Sequence, residues 1–308
     1  MNYVKKLWGY LFNKNKRFKI NALRGMYSDL PDEEYLRKLF YASMGKPLDL
    51  ENPQTFNEKL QWLKLYDRKP IYTTMVDKYA AKEYAANLIG KEHIIPTLGV
   101  WDRFDDIDFD ALPDRFVLKT THDSGGVVIC RDKKTFDKKA ARAKLEKSLK
   151  RNYYLTFREW PYQDVPRKIL AEQYMEDESG YELKDYKFFC FWGKCKCFKV
   201  DFDRFVKHRA NYYDRDKKLL YLGEKCCPPD FEKKIKLPTT IDEMIDFSEI
   251  LSRNVPFLRV DLYSVNEKIY FGELTFYPAS GIGAFTEESW DQILGDWIVL
   301  PEKTKSEN

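Results

Sequence analysis

No apolar run in this 308-residue chain approaches the ~18 to 20 residues that a membrane-spanning helix needs, which excludes an integral helical membrane protein. Nothing at the N-terminus resembles a secretory signal. Its longest apolar stretch is broken by Gly9 and followed by basic residues, so a cytoplasmic location is expected. Excess charge of one sign is lacking as well: 53 Lys and Arg against 49 Asp and Glu leave +4, which gives no signature of nucleic-acid binding. No G-x-G-x-x-G occurs and no strand–helix alternation precedes residue 90, so a dinucleotide-binding start is not supported. The six cysteines show C-x-C (Cys195, Cys197) and C-C (Cys226, Cys227) spacings without a paired C-x-x-C, which argues against zinc. Cys190, Cys195 and Cys197 fall in an aromatic run that reads as strand, where buried reduced thiols are expected. Internal repeats and low-complexity segments are absent.

Aromatic residues are plentiful at 16%. They suit a packed core and equally a site for flat or sugar-like ligands, with Trp62 and Trp160 available for sugar rings. Residues 1–28 carry seven basic and no acidic side chains, interleaved with Leu7, Trp8, Tyr10, Leu11 and Phe12. Such a segment either lies on an anionic membrane surface or docks on its own domain with a solvated basic face.

The first quarter reads as helices. One opens at Pro31 with Leu36, Leu39 and Phe40 inward, and Thr55–Glu58 forms a capping box ahead of Phe56, Leu60 and Leu63. A third spans about Thr74 to Leu88, with Val76, Ala80, Tyr84 and Leu88 as its stripe and Gly90 as its stop. Then the pattern changes. Residues 115–121 and 127–130 predict a hairpin around the turn Asp123-Ser-Gly-Gly126, followed by a basic helix over 135–150 and a strand over 168–174. The polar stretch 176–180 is the best linker. Residues 185–191 and 196–200 make a second hairpin, Thr240–Glu243 a second capping box, and residues 257–263 and 269–274 a third hairpin about Asn266. The tail after Pro301 is polar and expected to be disordered.

The chemistry lies in charges set inside apolar strands. Burying an ion costs several kcal/mol unless it is compensated. Yet Lys119 interrupts Phe-Val-Leu, Glu172 interrupts Ile-Leu-Ala, Lys187 borders Phe188-Phe189, Arg259 and Asp261 alternate in one strand, and Glu273 follows Tyr-Phe-Gly. Period-2 geometry puts Arg259 and Asp261 on one face, with Glu273 close across the hairpin. Neighbouring carboxylates repel unless a cation bridges them, and hard oxygen ligands match Mg²⁺, which completes its shell with waters and phosphates. Two lysines and the Ser-Gly-Gly tip supply partners for those phosphates. A nucleoside-triphosphate and Mg²⁺ site is expected.

The order Asp77-Lys78, Lys119, Ser124-Gly-Gly126, Glu172, Lys187, Arg259-Val-Asp261 and Glu273-Leu-Thr275 resembles the ATP-grasp superfamily. Residues 52–66, His122-Asp-Ser-Gly-Gly126 and Gly272–Gly281 resemble its TupA-like branch, named for a protein of teichuronopeptide synthesis and met among bacterial surface-polysaccharide genes. The resemblance implies an α+β ATP-grasp fold: two subdomains clasping ATP, at 75–178 and 179–300, behind a mainly helical region 1–74 and before the tail 301–308. It implies phosphate contacts for Lys78, Lys119 and Lys187, a turn at Ser124, Gly125 and Gly126 folding over the phosphates, and Glu172 at the adenine amino group. Asp261, Glu273 and Thr275 would hold Mg²⁺, with Thr275 replacing the usual Asn, and Arg259 would stabilise an acyl phosphate, with Lys187 beside it. The implied activity is carboxylate–amine ligation with ATP, joining an amino acid or small amine to a glycan or uronic-acid carboxylate. His122 borders the turn and either touches phosphate or substrate or has a surface role. Two other readings stay open. Asp108-Phe-Asp110 and Asp201-Phe-Asp203 are D-x-D patterns of the kind a glycosyltransferase uses, and Thr275 is compatible with a nucleotide-binding protein without catalysis.

Overall fold

The computed structural model describes residues 13–177, 180, 183–204 and 206–303. Four helices open the described chain: α1 (Lys14–Leu23), α2 (Asp32–Met44), α3 (Phe56–Tyr66) and α4 (Ile71–Val76). The capping box of α3 forms as expected: Thr55 accepts from the Glu58 backbone and Glu58 reaches back to the Thr55 N–H. Phe56, Leu60 and Leu63 are buried, as are Leu36, Leu39 and Phe40 of α2. The interleaved Leu7, Trp8, Tyr10, Leu11 and Phe12 of the N-terminal segment lie outside the described residues, and so does the tail beyond Lys303. Of the linker stretch, Asp177 is buried and accepts from the backbone and ammonium of Lys184, while residues 178 and 179 lie outside the described residues.

The single helix expected from Thr74 to Leu88 is in fact two. α4 ends at Val76, Asp77 turns extended, and α5 (Ala80–Ile89) begins after Tyr79. Asp77 explains the break: its carboxylate accepts the Tyr79 N–H, a local bond that competes with helix continuation. The stripe shifts with it. Ala81, Ala85 and Ile89 face inward and Leu88 is 43% exposed. The break frees the Lys78 N–H to bond the Thr121 carbonyl, which ties this corner to the glycine-containing turn.

Four strands follow: β1 (Thr97–Trp101), β2 (Phe116–Thr120), β3 (Val127–Cys130) and β4 (Ile169–Gln173), in antiparallel order β1-β4-β2-β3. Helix α6 (Lys138–Leu149) covers this sheet through Ala141 and Leu145, over a separate core of Phe104, Phe109, Phe116 and Leu118. The short α7 (Tyr153–Phe157) leads back to β4. The second sheet has six antiparallel strands, ordered β10-β9-β5-β6-β7-β8: β5 (Asp185–Phe191), β6 (Lys194–Phe202), β7 (Arg209–Asp214), β8 (Leu219–Leu220), β9 (Leu258–Val265) and β10 (Lys268–Thr275). β1, β7 and β8 were not anticipated. Tyr186, Phe188 and Cys190 point to α8 (Ile241–Leu251), where Cys190 Sγ meets Ser248 Oγ at 3.4 Å. Thr240 precedes α8 without capping it, contrary to the second predicted box, and its buried hydroxyl has no partner. The N-terminal helices and α9 (Ser289–Trp297) share one core with this larger sheet.

Candidate active site

The strand pairing brings the isolated charges together. Lys187 on β5 pairs with Lys199 on β6 and with Asp261 on β9, while Asp261 pairs with Glu273 on β10 and Arg259 with Thr275. A strand shows alternate side chains to each face, so Asp185, Lys187, Lys199, Asp201, Arg259, Asp261, Glu273 and Thr275 share the face opposite α8. That face and the smaller sheet enclose a cleft of about 390 Å³. Lys78, Lys119, Ser124, Gly125 and Glu172 line it from one side, and Lys187 and Glu273 from the other. Asp261 and Arg259 lie beneath the lining. Gly126 faces a different cleft.

On the smaller sheet, Lys119 leaves β2 and Glu172 leaves β4. Lys119 Nζ lies 2.6 Å from one Glu172 oxygen and Lys82 Nζ 2.5 Å from the other. Both oxygens of Glu172 are therefore held by lysines. Burial opposes the Glu172 charge, but Lys119 and Lys82 outweigh it and its pKa lies below the ordinary value. Burial likewise opposes the Lys119 charge, while Glu172, Glu273 and Asp185 hold its pKa above the ordinary value. Lys82 escaped the sequence reading because it sits mid-helix in Ala-Ala-Lys-Glu, a pattern typical of a solvated face. Only the packing of α5 against β10 and α8 buries it, with its ammonium held by the Ile95 carbonyl and Glu172.

The turn between β2 and β3 is fixed by a small polar cage. Asp123 accepts from Thr120 Oγ1 at 2.5 Å and from the Ser148 hydroxyl, and Lys78 Nζ donates to the Asp123 carbonyl at 2.5 Å. Gly125 has φ +99°, which disfavours any other residue, and a Cβ there would meet open space. At Gly126 a Cβ would stand 1.9 Å from Thr120 Oγ1 and 2.3 Å from Ser148 Oγ. The turn thus needs its two glycines for different reasons.

On the larger sheet, Asp261 is 1% exposed and fully paired. Arg259 reaches it through Nε and Nη2, both at 2.7 Å, and Lys187 Nζ lies at 2.7 Å. Burial opposes its charge, but Arg259 and Lys187 outweigh it and hold the carboxyl below its ordinary pKa. Lys187 also lies 3.2 Å from Asp185 and 3.8 Å from Asp201, and Arg204 contacts both of those acids. Burial opposes the Lys187 charge, and these carboxylates together raise its pKa nevertheless.

The oxygens of Asp261, Glu273 and Thr275 converge on one point, where Arg259 Nη2 sits at 2.7, 3.3 and 3.0 Å. The guanidinium nitrogen stands where a cation would. Three hard oxygen donors suit Mg²⁺, and a metal there would take the place that the Arg259 guanidinium fills. Glu273 is 43% exposed toward the cleft and is the donor most open to a ligand.

Other candidates do not join the cleft. His122 is buried, with Nε2 3.1 Å from the Arg151 carbonyl, so it steadies the base of the turn. A carbonyl only accepts, so Nε2 carries the proton, and burial pushes the imidazole pKa down. Of the two D-x-D patterns, Asp108 bonds its own loop backbone, Asp201 belongs to the Lys187 network, and Asp203 pairs with Lys233. Trp62 is buried beside Tyr66, and Trp160 packs on Tyr72. Cys190, Cys195 and Cys197 are free and buried. Among the described residues Glu224, Cys226 and Cys227 are the one group of three His, Cys, Asp or Glu side chains close enough to share a metal, and Lys199 Nζ already lies 2.8 Å from Glu224 and 3.9 Å from Cys227 Sγ.

A family model described as TupA-like ATP-grasp matches residues 58–299. No curated protein matches the chain. Similar solved structures include the D-alanine–D-alanine ligase of Bacillus anthracis complexed with ATP, at 16% identity over 73% of this chain and 65% of that one, with a TM-score of 0.41. This chain thus spans less than two thirds of that ligase. A RimK domain ATP-grasp protein from Sphaerobacter thermophilus is 12% identical over 93% of this chain and 96% of that one, with a TM-score of 0.43.

Proposed function

The chain belongs to the TupA-like ATP-grasp family, and from that premise we propose that it is an ATP-dependent carboxylate–amine ligase working through an acyl phosphate. Its products are amides on a bacterial surface-polysaccharide component, formed between a uronic acid and an amino acid or small amine. Residues 75–178 and 179–300 are the two subdomains that clasp ATP, behind the helical region 1–74. One observation carries the reading: lysines, a glycine-containing turn and carboxylates chosen from both halves of the sequence line a single cleft.

In this reading the adenine lies near Glu172, and Lys78, Lys119 and Lys187 meet the phosphates. A substrate carboxylate oxygen attacks the γ-phosphorus, the bond to ADP breaks, and an acyl phosphate forms. The amine nitrogen then attacks the acyl carbon, phosphate leaves with the electron pair of the C–O bond, and the amine proton passes to phosphate or solvent. Phosphoryl transfer depends mainly on positioning and charge neutralisation. Lys119, Lys187 and Arg259 meet the growing negative charge, and the turn at Ser124–Gly126 keeps water from the acyl phosphate. Held by Asp261, Glu273 and Thr275, Mg²⁺ would neutralise phosphate oxygens.

Lys14 and Lys16 are exposed at the start of α1, and Arg24 is exposed at its end with Leu23 and Met26, the last two each more than 60% exposed. This pattern supports a cytoplasmic protein in peripheral contact with an anionic membrane. Among the described residues no helix is long and apolar enough to cross a membrane. The test is an ADP-release screen of uronic acids against amines, with mass detection of the amide. ADP release that needs both substrates supports the reading. ADP release with no amide, or a nucleotide sugar consumed without ATP, overturns it.

A further inference from the structure

A second cleft, of about 650 Å³, adjoins the first across the turn, and Ser124 and Gly125 line both. Its walls are the end of α1 with Arg24, a flank of α6 with Lys144 and Lys147, and the approach to α7 with Arg151. Four cations thus face one space. The single acid in its lining is Asp123, whose carboxylate is already held by the Thr120 and Ser148 hydroxyls. Lys144, Lys147 and Arg151 form no ion pair with any described residue. Lys144 donates to the Val127 carbonyl at 2.6 Å, and Arg151 lies over the Tyr153 ring at 5.2 Å, so both are positioned without being neutralised.

Three unneutralised cations, Lys144, Lys147 and Arg151, on a concave wall concentrate positive potential. One carboxylate would leave most of it unmet, whereas phosphate groups match both the arginine fork and the lysine ammonium. The two clefts share the wall made by Ser124 and Gly125, so a ligand that fills this one ends beside the first.

We propose that this cleft binds the acid substrate and that the substrate carries a diphosphate as well as its carboxylate. The diphosphate rests on Arg24, Lys144, Lys147 and Arg151, and the sugar carboxylate reaches past Gly125 toward the first cleft. This assignment rests on the ligase reading. The same chemistry is found in a sugar nucleotide and in a lipid-linked sugar.

The test is calorimetric titration of the full chain, with AMP-PNP and Mg²⁺ saturating the first cleft. The titrants are glucuronic acid, UDP-glucuronic acid, UDP and farnesyl diphosphate. UDP-glucuronic acid should bind at least tenfold more tightly than glucuronic acid. A Lys144→Ala/Lys147→Ala double variant should lose at least tenfold of that affinity and keep its AMP-PNP affinity within twofold. Both side chains are exposed, and the single Lys147→Ala variant, with its melting curve, guards against a folding effect. UDP binding more tightly than farnesyl diphosphate identifies a nucleotide carrier, and the reverse a lipid carrier; both support the assignment. Equal affinity for the two uronic acids, or full diphosphate affinity in the variants, overturns it. Failure of the ligase reading would appear separately, as no release of ADP from ATP when the wild type is supplied with UDP-glucuronic acid and amines.

Discussion

Replacing Gly126 by Ala puts a methyl group into the cage that fixes the turn. The added carbon would stand 1.9 Å from Thr120 Oγ1, 2.3 Å from Ser148 Oγ and 2.9 Å from Asp123 Oδ1. Carbon and oxygen in contact need more than 3 Å, so at least two hydroxyls that hold Asp123 must move. Overpacking of this kind costs about 1–3 kcal/mol, which corresponds to about 5- to 150-fold in an equilibrium constant. The strain has two outlets. If the turn stays, the cost lowers global stability; if the turn shifts, Ser124 and Gly125 leave the cleft wall and nucleotide affinity falls. Urea unfolding and AMP-PNP titration, measured together, should show losses summing to at least about 1 kcal/mol. Gly125→Ala is the control: its Cβ meets nothing, so only the positive φ contributes, at about 1–2 kcal/mol. Gly126→Ala matching the wild type in both measurements would refute the cage argument.

Lys119→Met should weaken AMP-PNP binding by tenfold or more, because it removes a cation from the cleft and leaves Glu172 with Lys82 alone; an unchanged Kd would count against the phosphate role. Glu172, Asp201, Glu224 and Asp261 all have folded pKa values below their ordinary ones, with burial opposed and outweighed by neighbouring cations. For carboxyls so shifted, the stabilisation is complete above the unfolded pKa, 4.5 for glutamate, and is lost as pH falls through the folded values. The urea midpoint should therefore drop steeply below pH 4.5. Glu224→Gln should cost about 2 kcal/mol or more at pH 7 by leaving Lys199 short of a partner, and should flatten that drop. Asp108→Ala should leave ADP release within twofold of wild type, since Asp108 bonds only its own loop; a large loss would revive a D-x-D metal site.

Much of the site was legible in the sequence because strands have a period of two and exclude lone charges. Lys119, Glu172, Lys187, Arg259, Asp261 and Glu273 each broke an apolar run, and the pairing brings them onto two facing walls. The capping box at Thr55 and the hairpin around Asn266, where Asn266 and Glu267 both have positive φ, were also written locally. What stayed hidden depends on packing between distant segments. Lys82 becomes a partner of Glu172 only because α5 packs on β10 and α8, far from it in the chain. The break at Asp77 comes from a side-chain bond that a helical stripe does not record. The Thr240 box failed although its residue types were right, since the backbone there does not aim the hydroxyl at the helix. The presence of Arg259 at the focus of three oxygens required coordinates.

In the proposed reading the two sheets clasp a metal-chelated adenine nucleotide between Lys119 and Glu273. Calorimetric titration of AMP-PNP into wild type and Glu273→Gln, each with Mg²⁺ and with EDTA, tests it most directly. One nucleotide should bind per wild-type chain, at least tenfold more tightly with Mg²⁺, and Glu273→Gln should lose that metal dependence. Absence of nucleotide binding, or binding indifferent to both the metal and the substitution, would contradict it.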